Sequence, residues 1–410
     1  MTKRLNTSKG ITLIALVITI IVLLILAGVA IAMLSGQNGI LKRAADAKTE
    51  TEQAQENEAE YLEDYEDLIN ESTGNLGKVK DYKNKIIEGK KVKLQDDNGE
   101  TIVVPVGFKI KDDSPTEVKK GIVVVAPDNS EFVWVPVKDI NTMYGTDANG
   151  KKTGKLYNFT ANGHTALNWE ETNGKMKWIS ATNYRESDYL SEDGDASSDG
   201  IDLLKELVKL DGATNEEILN KWKEQLQNEF DEMIKYVGKN KGFYVGRYET
   251  SLSSSNNAQS ILGATSATEA SKSANTWYGL YQKDKEYSEK NKLTNVVGSS
   301  MIWGSQYDQM MIWMQGNGID VISATPTNLE GKTTSKNTAR TTGTEPNDKL
   351  NNIYDLLGNN FEWTLEASNT GYRTYRGGNY DSSRSPVNRN YYSPDSNGSI
   401  CSTRLTLYIK

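Results

Sequence analysis

Chemistry needs particular side chains, and this 410-residue chain is sparing with several of them. It has one histidine, His164, and one cysteine, Cys401. Those two counts argue against a zinc site of clustered histidines, a Ser-His-Asp triad and an intrachain disulfide. Neither residue has sequence neighbours that would activate it, so they read as a loop histidine and a buried thiol. No residue is assigned a catalytic role. What the chain does carry is a tail suited to recognition. From Asn379 to Ile400 it reads NYDSSRSPVNRNYYSPDSNGSI, and 15 of those 22 residues are Asn, Tyr, Asp or Ser. Tyrosine gives large amphipathic contact area at low entropic cost, while Ser and Asn adapt their hydrogen bonds. The alternative is a plain polar loop. The candidate contact residues are Asn379, Tyr380, Asp381, Ser382, Asn388, Asn390, Tyr391, Tyr392, Asp395 and Asn397, with Tyr375 and Arg376 behind them.

The elements that must carry this tail begin at the other end of the chain. From Ile11 to Leu34 there is no charge and no proline. About 20 apolar residues suffice to cross a bilayer as a helix, so a membrane is an expected partner. The preceding MTKRLNTSK is basic, and basic flanks stay cytoplasmic, which places the rest of the chain outside. The junction KGITLIALVI resembles the prepilin signature of type IV pilins and related pseudopilins. That resemblance implies a leader at residues 1–10, cleavage after Gly10, methylation of the new N-terminus Ile11, and pilin-like subunits as partners of the helix. The glutamate that the family usually carries five residues into the mature chain is here Ala15, which leaves a plain membrane anchor or a minor pilin open.

After Gly36 and Gly39 the helical pattern resumes at Ile40, and Asp46 to Glu71 carries eleven acids against one base, Lys48. That is the composition of a solvated stalk, and residues 11–72 read as transmembrane or pilin helix plus stalk. Tyr61, Leu62, Tyr65, Leu68 and Ile69 fall on one face of it. Residues 73–100 read as a linker. Strand signals follow in TIVVPVGFKI, GIVVVAP and EFVWVPV, short β-branched and aromatic runs bounded by turn residues. Residues 141–240 read as an insertion, loop-like as far as Gly200. Within it Asn215 to Val237 is a helix by period, with Thr214 and Glu217 forming a capping box. The net charge of −8 argues against a nucleic-acid partner.

Four pieces then stand in a familiar order: FVWVPV, FYVGRYETS, MIWGSQYDQMM and NIYDLLGNNFEWT, followed by YRGGNY. This order resembles the formylglycine-generating-enzyme, or sulfatase-modifying-factor, family, whose fold is C-type-lectin-like. The resemblance spans residues 101–410 and implies an irregular α+β head behind the long N-terminal helix. Family enzymes bind copper through two cysteines after the Gly-Gly pair. Those positions are here Ser382 and Val387, which supply no thiolate, so copper and the oxidase chemistry are not expected. The family also holds calcium near the matching loop, which implies Asp355, Asn359, Asn360 and Glu362 as oxygen ligands. In lectin-like proteins diversified by retroelements, adenine-directed mutation of Asn codons yields Tyr, Ser and Asp in this same C-terminal stretch. The sequence therefore leads to a bacterial cell-surface protein, pilin-like or membrane-anchored, whose lectin-like face recognises an extracellular protein or glycan without catalysis. The alternatives are an exported enzyme of the formylglycine-generating family and a structural minor pilin.

Overall fold

The structure, a computed structural model, describes residues 13–35, 40–173, 175–178, 184–186, 198–267, 276–324, 339–368, 372–380, 382, 384–394 and 401–410. The chain divides into two compact units, Met1–Leu76 and Gly77–Lys410. The first contains two helices, α1 (Leu13–Ser35) and α2 (Ile40–Thr73). They end and begin beside Gly36 and Gly39, where helix propensity is lowest. No charged residue occurs in α1, and its apolar side chains from Leu16 to Leu26 are exposed. Among the described residues no helix is long and apolar enough to cross a membrane. In α2 the stripe Tyr61, Leu62, Tyr65, Leu68 and Ile69 is likewise exposed.

The second unit is α+β. Its centre is an antiparallel six-stranded sheet in the order Val297–Met301, Leu405–Ile409, Gly242–Gly246, Glu131–Pro136, Val123–Val125, Lys109–Ile110. Side chains alternate across a strand, and here both faces are apolar. Val123, Val133, Val135, Phe243 and Val245 enter one core; Val124, Phe132, Trp134 and Tyr244 enter another. Helices cover the first core: α3 (Ser198–Val208), α4 (Asn215–Asn240), α5 (Trp277–Lys290) and α6 (Gly304–Gly316). The expected capping box opens α4, with Thr214 Oγ1 accepting from Glu217 N at 3.3 Å and Glu217 Oε2 accepting from Thr214 N at 2.8 Å.

Two expectations change. Residues 77–100 are not a linker. Gly77–Lys78, Val92–Gln95 and Thr101–Val104 form a three-stranded sheet, and Val79, Ile87 and Leu94 are buried in the second core. Lys-rich solvent faces hid those few inward side chains. The stretch from Asn141 is not only loops either. It folds into three hairpins, pairing Tyr144–Thr146 with Lys152–Gly154, Tyr157–Thr160 with Gly163–Ala166, and Trp169–Thr172 with Lys175–Trp178. Their strands are only three or four residues long, too short for a periodic pattern to mark them in sequence. His164 sits on one of these strands, exposed, with Nδ1 3.3 Å from Gln315 Oε1.

A second sheet carries the tail. Tyr184–Glu186, Phe361–Ser368, Tyr372–Arg376 and Arg389–Tyr392 lie side by side, and Cys401–Thr403 pairs in parallel with Phe361 to Trp363. Between the third and fourth strands the Gly377–Gly378 pair passes close to another backbone. A Cβ would meet Leu356 O at 2.8 Å from the first glycine and Leu357 O at 2.5 Å from the second. Gly377 also has φ +79, a left-handed conformation that favours glycine.

Candidate binding face

The strand Arg389–Tyr392 is an edge of its sheet and pairs antiparallel with Tyr372–Arg376, Arg373 opposite Tyr392 and Thr374 opposite Tyr391. Three tyrosines stand out on this hairpin. Tyr372, Tyr391 and Tyr392 are 42%, 47% and 54% exposed. The Tyr372 and Tyr391 rings lie 5.3 Å apart and tilted by 45°. Tyr392 is on the opposite face of the strand, where Tyr375 is half-buried against the Phe361 and Trp363 rings. Asn388 is exposed, and Asn390, Tyr380 and Ser382 are half-buried.

What fixes this hairpin lies beneath it. Arg376 donates to Asp308 Oδ1 at 2.7 Å and to Glu366 Oε2 at 3.2 Å. Arg389 donates to Glu366 Oε1 at 2.7 Å and also to Asp308 Oδ2. The four side chains therefore close a ring in which each guanidinium spans both carboxylates. Asp308, Glu366 and Arg376 are fully buried. Burial raises the Glu366 carboxyl, and Arg389 and Arg376 pull it back. Burial would also loosen the proton of Arg389, but Asp308 and Glu366 more than offset it, so this guanidinium is held charged more firmly than usual. Hydrogen bonds from Tyr157 N to Asp308 Oδ2 at 2.7 Å and from Arg389 Nη1 to Tyr157 O at 2.8 Å tie in the neighbouring hairpin. On the other face of its strand the Arg373 guanidinium stacks 4.3 Å from the Trp277 ring.

Of the residues expected to contact a partner, Tyr391, Tyr392 and Asn388 are presented outward, and Tyr375, Tyr380, Ser382 and Asn390 are partly accessible. Arg376 and Asn379 are buried; Arg376 supports the face from behind, and Asn379 N donates to Ser382 O at 3.2 Å across a tight turn. Asp381, Asp395 and Asn397, and the processing residues Gly10 and Ile11, lie outside the described residues. Sequence reading missed Tyr372, Asp308, Glu366 and Arg389. Tyr372 begins an alternating YRTYR run that could have marked it as a surface position. Asp308 lies 68 residues from Arg376 in the chain, and no local pattern joins it to Glu366 and the two arginines.

The calcium set falls in a loop where Asp355 and Asn359 both have left-handed backbone, φ 65 and 63. Asp355 Oδ2 accepts from Gly343 N at 2.7 Å, and Asn359 Oδ1 from Arg340 N at 2.7 Å. Both oxygens of Glu362 face Arg404 Nε at 3.0 Å. Among the described residues no group of three or more His, Cys, Asp or Glu side chains is placed to hold a metal ion. In this arrangement Glu362 is paired with Arg404, and Asn359 Oδ1 accepts from a backbone amide. Their organising partner is one the sequence did not single out, Glu249. It accepts from Asn359 Nδ2 at 2.7 Å, Asn360 N at 2.8 Å, Asn360 Nδ2 at 2.9 Å and also the Ser266 hydroxyl. Burial, then the Asp355 and Glu362 charges, push its carboxyl well above the ordinary range. Asn360 Oδ1 stays buried and unpartnered.

At the positions of the family's copper ligands, Ser382 Oγ accepts from Arg384 Nε at 3.0 Å and Val387 packs against the first core. Cys401 is buried, and burial pushes its thiol up. Comparison with protein-family models, curated proteins and solved structures found no match.

Proposed function

We propose that this chain is a surface-display protein whose lectin-like head binds an extracellular protein or glycan through the hairpin that carries Tyr372, Tyr391 and Tyr392. The observation that carries this reading is the presentation of exposed aromatic side chains on an edge strand anchored by a buried four-charge ring. Aromatic anchors supply much of the energy of recognition, and a scaffold ordered before binding loses less entropy on association. Asn388, Asn390 and Ser382 add adaptable hydrogen-bonding groups beside them. The order of FVWVPV, FYVGRYETS, YDLLGNNFEW and RGG supports the lectin-like assignment by resemblance. The uncharged run beginning at Ile11 and the KGITLIALVI junction support an N-terminal helix that anchors the chain in a membrane or a pilin-like bundle.

Two measurements test it. Cells displaying the full chain are applied to glycan and surface-protein arrays, with Tyr391→Ala/Tyr392→Ala as the comparison. Binding to at least one array partner is expected, weakened about tenfold or more in the double variant, a loss of ~1.4 kcal/mol or more. No partner on either array, or equal binding by the double variant with its circular dichroism unchanged, overturns the reading. N-terminal mass spectrometry of the exported chain tests the anchor: a first residue of Ile11 is expected, and one of Met1 refutes the processing step.

A further inference from the structure

Tyr391 and Tyr392 are neighbours on the strand Arg389–Tyr392, so their side chains stand on opposite faces of the sheet. Tyr391 shares its face with Tyr372, and Tyr392 shares the other with Arg373, whose guanidinium stacks on Trp277. What the two tyrosines have in common is the edge between them. The neighbouring strand fixes which backbone groups point outward there. Thr364 Oγ1 donates to Thr374 O at 3.1 Å, so the Thr374 carbonyl turns toward the strand Phe361–Ser368. In an antiparallel ladder a residue's N–H and C=O point to the same side, and bonded pairs alternate with non-bonded ones. Thr374 and Tyr391 are therefore a non-bonded pair, and Arg373–Tyr392 and Tyr375–Asn390 are the pairs in position to exchange hydrogen bonds. The N–H and C=O of Tyr391 then face out from the edge, and among the described residues no backbone hydrogen bond reaches them.

Edges of this kind are usually blunted by a lysine, a proline or a bulge. The strand RNYY has neither lysine nor proline, and its register against Tyr372–Arg376 is unbroken. Its one charge, Arg389, is turned beneath the sheet onto Asp308 and Glu366. A strand added alongside would meet the Tyr391 N–H and C=O with its own backbone. Its side chains would alternate between the two faces, one set beside Tyr391 and Tyr372 and the other beside Tyr392. A sugar ring, by contrast, stacks on one face at a time and carries no row of donors and acceptors at the spacing of a strand. We infer that this edge binds an extended segment of a protein partner by strand addition, with β-branched or aromatic side chains packing beside the tyrosines. The inference rests on the hairpin being the binding site, and it selects peptide over glycan.

The purified full chain is applied to an array of random-sequence peptides of about ten residues, roughly twice a typical strand, and in parallel to a glycan array. Peptides are expected to bind, the best with a Kd on the order of 10 μM. That peptide is then remade with a single N-methyl group at each position in turn. Methylating one alternate set of amides should weaken binding about tenfold. Methylating the other set should not, because only one edge of an added strand faces the protein. Tyr391→Ala/Tyr392→Ala should weaken the same peptide about tenfold with circular dichroism unchanged, and Tyr392→Ala alone serves if the double variant does not fold. Binding of glycans only, or peptide binding that the variant loses but that shows no period of two in the methyl scan, overturns strand addition and leaves the hairpin as the site. No binding on either array, or peptide binding untouched in the folded variants, overturns both. Full chains that associate with one another and separate in Tyr392→Ala would put a second copy at the edge, which also overturns the inference.

Discussion

Asp284, on α5, is fully buried, with its Oδ1 3.1 Å from Thr250 Oγ1. Burial pushes its carboxyl up to about 7, with the hydroxyls of Thr403 and Thr250 pulling back. An unfolded aspartate gives up its proton near 3.8. Between those two values the folded chain keeps a proton that the unfolded chain has lost, so this group's contribution falls as pH rises. Its penalty is absent below about pH 4 and complete above about pH 7, reaching a few kcal/mol at ~1.36 kcal/mol per unit. Asp355, also buried and pushed up to about 7, acts with the same sign. Asp284→Asn keeps the acceptor for Thr250 and removes the titration. Its melting temperature should match wild type near pH 4 and exceed it near pH 8, as read by thermal unfolding across that range. A variant that is less stable at both pH values would show that the charged carboxylate is needed. Nothing in WYGLYQKDKEYSEK marks this acid as buried, because its burial comes from packing of α5 on elements elsewhere in the chain, the strand Val297–Met301 among them.

The hairpin of Tyr372–Arg376 and Arg389–Tyr392 shows the same dependence one level up. Its register presents Tyr391 and Tyr392, yet it is an edge with one neighbouring strand, so its order rests on the ring below. Removing one member of a buried pair leaves an uncompensated charge, which costs roughly 3–5 kcal/mol. Asp308→Asn is therefore expected to lower the unfolding free energy by about that amount. It should also raise amide exchange at residues 389–392 more than along Phe361–Ser368. Uniform exchange across both strands would mean that the ring does not fix the edge. The elements themselves differ in how well sequence foretells them. Helix α4 was legible from its period and its capping box, because both signals are local. The hairpins between Tyr144 and Trp178 were not, since their strands are only three or four residues long and carry too few positions for a period to show. Tyr391 and Tyr392 were found by composition, whereas the ring that holds them depends on contacts between distant segments.

Across the whole Gly77–Lys410 unit, the six-stranded sheet serves two cores at once. Sequence reading marks some of its strands, in β-branched runs such as GIVVVAP and EFVWVPV, but not the outer strand Val297–Met301. It could not show that Val133 and Trp134, adjacent in the chain, face different cores, because a strand apolar on both faces loses the alternation that reports sidedness. That arrangement has an energetic consequence. Phe132 belongs to one core and Phe243 to the other, both with no exposed surface, on neighbouring strands of one ladder. Emptying either site should cost roughly 3–5 kcal/mol through lost transfer energy and the cavity left behind. If the shared sheet couples the cores, neither can melt while the other stays folded, because each supplies one face of the same hydrogen-bonded strands. Phe132→Ala and Phe243→Ala should then each move the same calorimetric transition of this unit to lower temperature, with near-UV and far-UV circular dichroism changing together. A transition that splits in two in either variant, one half remaining at the wild-type temperature, would show instead that each core folds with its own covering elements and that the sheet does not bind them into one cooperative unit.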